Sequence, residues 1–104
     1  MAISEIHAGI CGFNTTVQAT MEDDECVLTI TSECPDIQRL AGALDRVDPL
    51  QEISARRGPT KIMEVSRVHC RHAACPVPCG IVKAMEVAAG LALPADATIK
   101  VRRE

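Results

Sequence analysis

The segment HCRHAACPVPCG, residues 69–80, brings His69, Cys70, His72, Cys75, Pro76, Pro78 and Cys79 into twelve positions. Thiolates and imidazole are the soft donors that zinc and iron–sulfur clusters select. The spacings are C-x3-C for Cys75 and Cys79 and H-x2-C for His72 and Cys75, with no paired C-x-x-C motif in the chain. A cysteine at the start of a helix is also a nucleophile, so the same residues suit thiol redox or sulfur-transfer chemistry. A third reading makes the cysteines incidental to a structural or interaction domain.

Composition narrows the setting. A chain of 104 residues with 47% hydrophobic and 24% charged residues is expected to form one soluble domain spanning 1–104. Phe13 is the only aromatic residue, so no platform exists for stacking the bases of a nucleic acid. Residues 1–52 carry ten acids against Arg39 and Arg46, while residues 53–104 carry nine bases against four acids. The two halves attract each other within one fold more readily than they recruit an anionic partner. The opening MAISEIHAGICG has no basic segment followed by a long apolar run, and no stretch approaches ~18 apolar residues. A cytoplasmic protein with no membrane contact is the expectation, and in that compartment six cysteines serve metal or thiol chemistry better than disulfides.

Periodicity supplies the elements that must position these groups. NTTVQATM, residues 14–21, alternates with Thr15, Val17, Ala19 and Met21 on one face, which predicts a half-buried strand. Residues 2–11, with Ile6, Ala8 and Ile10 aligned, and residues 26–31, with Cys26, Leu28 and Ile30 aligned, predict flanking strands. Turns at Gly12-Phe13-Asn14 and Asp23-Asp24 join the three into an antiparallel meander. A C-terminal strand is predicted over 97–102, with Ala97, Ile99 and Val101 inward.

Helical spacing takes over after Pro35, where Ile37, Leu40, Ala41, Leu44 and Val47 predict a first helix. Asp48-Pro49-Leu50-Gln51 reads as a cap and first turn, predicting a second helix over 49–57 that stops at Gly58. Thr60 caps a third, with Val65, Val68, His69 and His72 on one side. The fourth carries Ile81, Val82, Met85, Ala88 and Ala89 and ends at Gly90. The predicted fold class is α+β, a mostly antiparallel sheet covered on one face by about four helices.

This arrangement converges the cysteines. Cys34-Pro35 and Cys75-Pro76 put two thiols at predicted helix N-termini, whose free N–H groups and partial positive charge favour thiolates. In a meander the ends of the first and third strands lie at the same edge, so Cys11 and Cys34 sit there, about 9.5 Å apart before their turns curl inward. If the fourth helix points its N-terminus at this edge, Cys75 and Cys79, one turn apart, complete a cluster with His72.

The blocks CGFNTTV at 11–17, SECPDI at 32–37 and HAACPVPCGIVKAMEVAAGLALP at 72–94 resemble a small family of unknown function found mainly in anaerobic bacteria and archaea. The resemblance spans nearly the whole chain and implies that Cys11, Cys34 and Cys75 belong to the family's pattern, with Cys79 a looser member. It supplies no activity. Separately, Cys75-Pro76-Val77-Pro78 is similar to the Cys-Pro-x-Pro motif of the small sulfur-carrier proteins, which implies a persulfide on Cys75. In that family the motif follows the first strand, whereas here it lies late in the chain.

The candidate metal ligands are therefore Cys11, Cys34, Cys75, Cys79 and His72, for zinc or an iron–sulfur cluster. Cys26 on an inward strand face is a core filler, Cys70 reads as structural or exposed, and His7 reads as an ordinary surface histidine. Phe13 either plugs the sheet end or lids the site. No Ser/His/Asp order, paired carboxylates or phosphate-binding glycine loop appears. Catalysis would need Cys75 as nucleophile, with His72 as its base and the helix end as anion hole, and is not the expectation.

Overall fold

The computed structural model describes residues 1–54 and 58–104. Strands β1 (Ala2–His7), β2 (Asn14–Glu22) and β3 (Glu25–Ser32) form the antiparallel meander, with Ile6 opposite Thr15, Val17 opposite Ile30 and Met21 opposite Cys26. Asp23 turns the β2–β3 hairpin at φ 56°, a conformation that aspartate tolerates better than most residues. The alternation read from the sequence is the alternation found: Thr15, Val17, Ala19, Cys26 and Leu28 are buried on one face.

That face is covered by α1 (Pro35–Ala43), α3 (Lys61–His69) and α4 (Val77–Ala88), with the single turn α2 (Pro49–Glu52) leading into α3. Helix α4 lies over β1 and β2, α1 lies over β3, and α3 fills in beside both helices. Ile37, Leu40 and Leu44 meet Ile62, Ile81 and Met85 over Val17 and Leu28, so an aliphatic core forms without any aromatic ring. The α4–β1 contact is close because position 80 is glycine: a Cβ there would collide with Ile6 Cδ1. The Gly80 carbonyl also accepts from the Ser4 hydroxyl at 2.8 Å.

Several boundaries differ from the sequence reading. Strand β1 ends at His7 rather than at residue 11; residues 8–13 form a loop turned by Gly9 at φ 89° and Gly12 at φ 74°. Helix α1 stops at Ala43, and Val47 belongs to a two-residue strand, β4 (Arg46–Val47), paired to β3. Asp45 C=O accepts from Leu28 N–H at 2.8 Å and draws the chain onto the sheet edge, overriding the helical spacing of Leu44 and Val47. Asp48 caps α2 as read, accepting from Leu50 N–H at 3.0 Å, but the helix ends at Glu52 and not at Gly58. Glu52 turns inward instead, where its carboxylate accepts from Ile62 N–H at 3.3 Å; positions 55–57 of that predicted helix lie outside the described residues. Thr60 caps α3 as expected, its Oγ1 accepting from Met63 N–H at 3.3 Å.

The largest departure is the C-terminus. Helix α4 ends as predicted at Gly90, which adopts φ 73°, and Leu91 N–H returns to Glu86 C=O at 2.8 Å. Residues 97–102 then form no strand, and Ile99 and Val101 are exposed. The sheet order β1-β2-β3-β4 leaves the outer edge of β1 without a partner among the described residues.

Candidate functional site

The sheet edge at which the cysteines were expected to meet holds a cleft of about 380 Å³. Three connections build it. The β1–β2 loop contributes Ile10, Cys11 and Phe13. Its position is fixed by Ala8 N–H on Phe13 C=O at 3.1 Å and by Asn14 N–H on the Glu33 carboxylate at 3.0 Å.

The β3–α1 junction contributes Cys34, Asp36 and Ile37. Cys34 is the N-cap of α1 as read, but its thiol caps no backbone N–H. Its own N–H donates to Ser32 Oγ at 3.1 Å, and that hydroxyl pairs with Thr15 Oγ1 at 2.7 Å, so the junction is held by a half-buried hydroxyl pair while the thiol stays in the cleft wall.

The α3–α4 connection contributes Cys70, His72, Ala74, Cys75 and Val77. Cys75 was expected to cap α4; Pro76 holds that position instead, and Cys75 lies one residue earlier, its N–H turned back to His72 C=O at 3.2 Å. The helix end therefore lends its thiol less positive charge than a capping position would. Helix α3 delivers Cys70 directly. Its inward side is Ile62, Val65, Ser66, His69 and Cys70, whereas Val68, expected on that side, is 63% exposed.

Asp36 ties the connection to α1. Buried in the cleft wall, its carboxylate accepts from Arg71 N–H at 3.1 Å, from Arg71 Nε at 3.1 Å and from Arg71 Nη2 at 3.0 Å, and it also pairs with Arg39. These bonds, those to the Arg71 side chain first, hold the Asp36 carboxyl well below the usual carboxylate range, at about 2. Because Arg71 sits between Cys70 and His72, which line the cleft together with Cys34, the ion pair ties this stretch of the connection to α1.

Burial pushes the Cys70 thiol up to about 11, and the neighbouring Cys75, Asp36 and Cys34 add to the shift. Cys70 is thus a protonated thiol at neutral pH, packed with two others against an apolar wall of Phe13, Ile37 and Val77. Of the residues picked from the sequence, Cys11, Cys34, Cys75 and His72 all line the cleft; Cys79 does not and is exposed on α4. Cys26 is buried in the core, as expected, and His7 is exposed, its ring hydrogen-bonded to Asn14 at 2.9 Å. Cys70 is the residue the sequence reading missed. Counting from the Thr60 cap, positions 62, 65, 66, 69 and 70 follow the i, i+3, i+4 spacing of one helix face, and that signal would have found it. Among the described residues, no three His, Cys, Asp or Glu side chains close around a single ion-sized point.

A four-stranded antiparallel sheet with helices on one face and a thiol-lined cleft at one end defines a small α+β protein. The chain belongs to a family of unknown function, DUF6951, whose model matches residues 2–101. No curated protein and no solved structure matches it. No helix among the described residues is long and apolar enough to cross a membrane.

Proposed function

We propose that the cleft is a thiolate site for an iron–sulfur cluster, with Cys11, Cys34, Cys70 and Cys75 as the ligands and His72 an exposed donor at the rim. The observation that carries this reading is that these four cysteines, from three separate connections, line one cleft. The donor set fits the group: four thiols, no competing carboxylate cluster, and an apolar wall that limits water. Four thiolates on zinc must sit close together around one atom with Zn–S near ~2.3 Å, whereas a cluster spreads its cysteines over a larger body. A cleft of about 380 Å³ with its four thiols spread over three connections suits that larger body.

A bound cluster supplies one-electron chemistry, which makes the chain a small redox protein. The protein's own part is positional. The Asp36–Arg71 pair holds the Cys70 to Cys75 segment, the Thr15–Ser32 hydroxyl pair holds Cys34, and Phe13 walls the site. Since Cys70 is protonated at neutral pH, ligation must displace its proton, and loading strengthens as pH rises toward 11. The test is purification without oxygen followed by iron, sulfide and zinc analysis with a visible spectrum. Equal iron and acid-labile sulfide with a reducible visible band is the expected result. A colourless zinc protein would replace the cluster with a single ion, and a chain that takes up neither would overturn the reading.

A second reading rests on the adjacency of Cys75 and Cys70. Cys75 would carry a persulfide formed by a cysteine desulfurase, and the Cys70 thiol would attack its inner sulfur, releasing hydrogen sulfide and leaving a Cys70–Cys75 disulfide. The high pKa of Cys70 slows that attack, which ranks this reading second. Desulfurase treatment with mass spectrometry separates the two: one sulfur on Cys75 supports the carrier, and none, or sulfur on every thiol, removes it.

A further inference from the structure

Residues 97–102, ATIKVR, have the composition of a strand and none of its bonds. Ala97, Ile99 and Val101 alternate with Thr98, Lys100 and Arg102, yet among the described residues no backbone hydrogen bond lies beyond Ala92. Ile99 is 80% exposed and Val101 90% exposed. β-branched side chains in alternation on an unpaired backbone are what a sheet edge takes up.

The same chain carries a bare edge. Strand β4 is two residues long and its end is covered by Lys61 Nζ on Arg46 C=O at 2.9 Å. Strand β1 is six residues long, outermost in the sheet, and has no proline to blunt it. About half of its peptide groups face away from β2, as in any antiparallel edge strand. The tail segment is also six residues long.

We infer that two copies of this chain exchange their tails, residues 97–102 of each adding as an antiparallel fifth strand to the β1 edge of the other. The register that matches faces is the one that sets Ile99 opposite Ile6. It puts Val101 opposite Ser4 and Ala97 opposite Ala8 on the inward side, beside α4. On the outward side it puts Lys100 opposite Glu5, so the charges as well as the faces agree. Because donor and acceptor lie on every chain, the exchange is reciprocal and closes as a two-fold dimer. The family match, ending at residue 101, includes the donor segment up to its last residue but one, Val101.

The experiment is sedimentation equilibrium of the full chain in reductant, so that exposed Cys11 and Cys79 form no intermolecular disulfides. A dimer is expected at concentrations on the order of 10–100 µM. Residues 1–96 and the full-length Val101→Lys variant should run as monomers, or dissociate at least ~10-fold more readily, with unchanged circular dichroism of the folded part. Lys100→Glu should weaken the dimer, and combining it with Glu5→Lys should restore it. A monomeric full chain, a dimer that survives tail removal and Val101→Lys alike, or a charge swap without restoration would overturn the proposal.

Discussion

At the scale of single residues, Asp36 ties the α3–α4 connection to α1. It contributes no ligand, yet it carries the Arg71 backbone, its guanidinium and Arg39 on one buried carboxylate. With its pKa lowered from 3.8 to about 2 by folding, its contribution to stability is fully present above pH 3.8 and is lost as pH falls from there toward 2. Asp36→Asn should therefore lower the thermal midpoint at pH 7 and flatten the fall in stability between pH 4 and pH 2. Thermal melts across that window check it, and an unchanged acid profile would show that the ion pair does not hold the segment. Cys26 is the contrasting case. Fully buried between Met21 and Val47 in the sheet, it should tolerate Cys26→Ala at about 1 kcal/mol with metal loading untouched, as measured by denaturant titration and iron analysis.

At the scale of elements, the sheet was legible because its strands alternate and one face is buried, so a slip by one residue would expose Val17, Ala19 and Leu28 together. The Thr60 cap and the Gly90 stop were legible as local chemistry; Thr60→Ala should cost ~1 kcal/mol in denaturant unfolding. What local pattern could not supply was the cut at Ala43. Leu44 and Val47 fit a helix, and only the bond from Leu28 N–H to Asp45 C=O makes the next residues a strand. Nor could it supply Gly80, which reads as a weak helix residue until Ile6 lies against it. Gly80→Ala gains helix propensity of roughly 1 kcal/mol but forces the stiff Ile6 side chain to move, so a net loss of about 1–2 kcal/mol is expected. Ile6→Ala should absorb most of that penalty in the double variant, and additive losses would place the strain elsewhere.

At the scale of the whole molecule, the site exists because chain order and spatial order differ. Cys11, Cys34 and the Cys70–Cys75 segment are far apart in sequence and reach one edge through a meander, a helix start and an inter-helix connection. The first two were legible from topology alone. Cys79 enters the sequence-derived set because it stands one helical turn from Cys75, and Cys70 stays outside it because local pattern does not orient the side of the helix that carries it; in the structure Cys70 lines the cleft and Cys79 is exposed on α4. The most direct measurement is therefore iron and sulfide content per chain after anaerobic reconstitution of single cysteine variants. Cys11→Ser, Cys34→Ser, Cys70→Ser and Cys75→Ser should each lose the cluster, because opening one thiolate position exposes it to water and thiol exchange, while Cys79→Ser should load like the parent. Loading that survives Cys70→Ser but fails in Cys79→Ser or in His72→Ala would contradict the account and return the fourth ligand to α4 or to the rim.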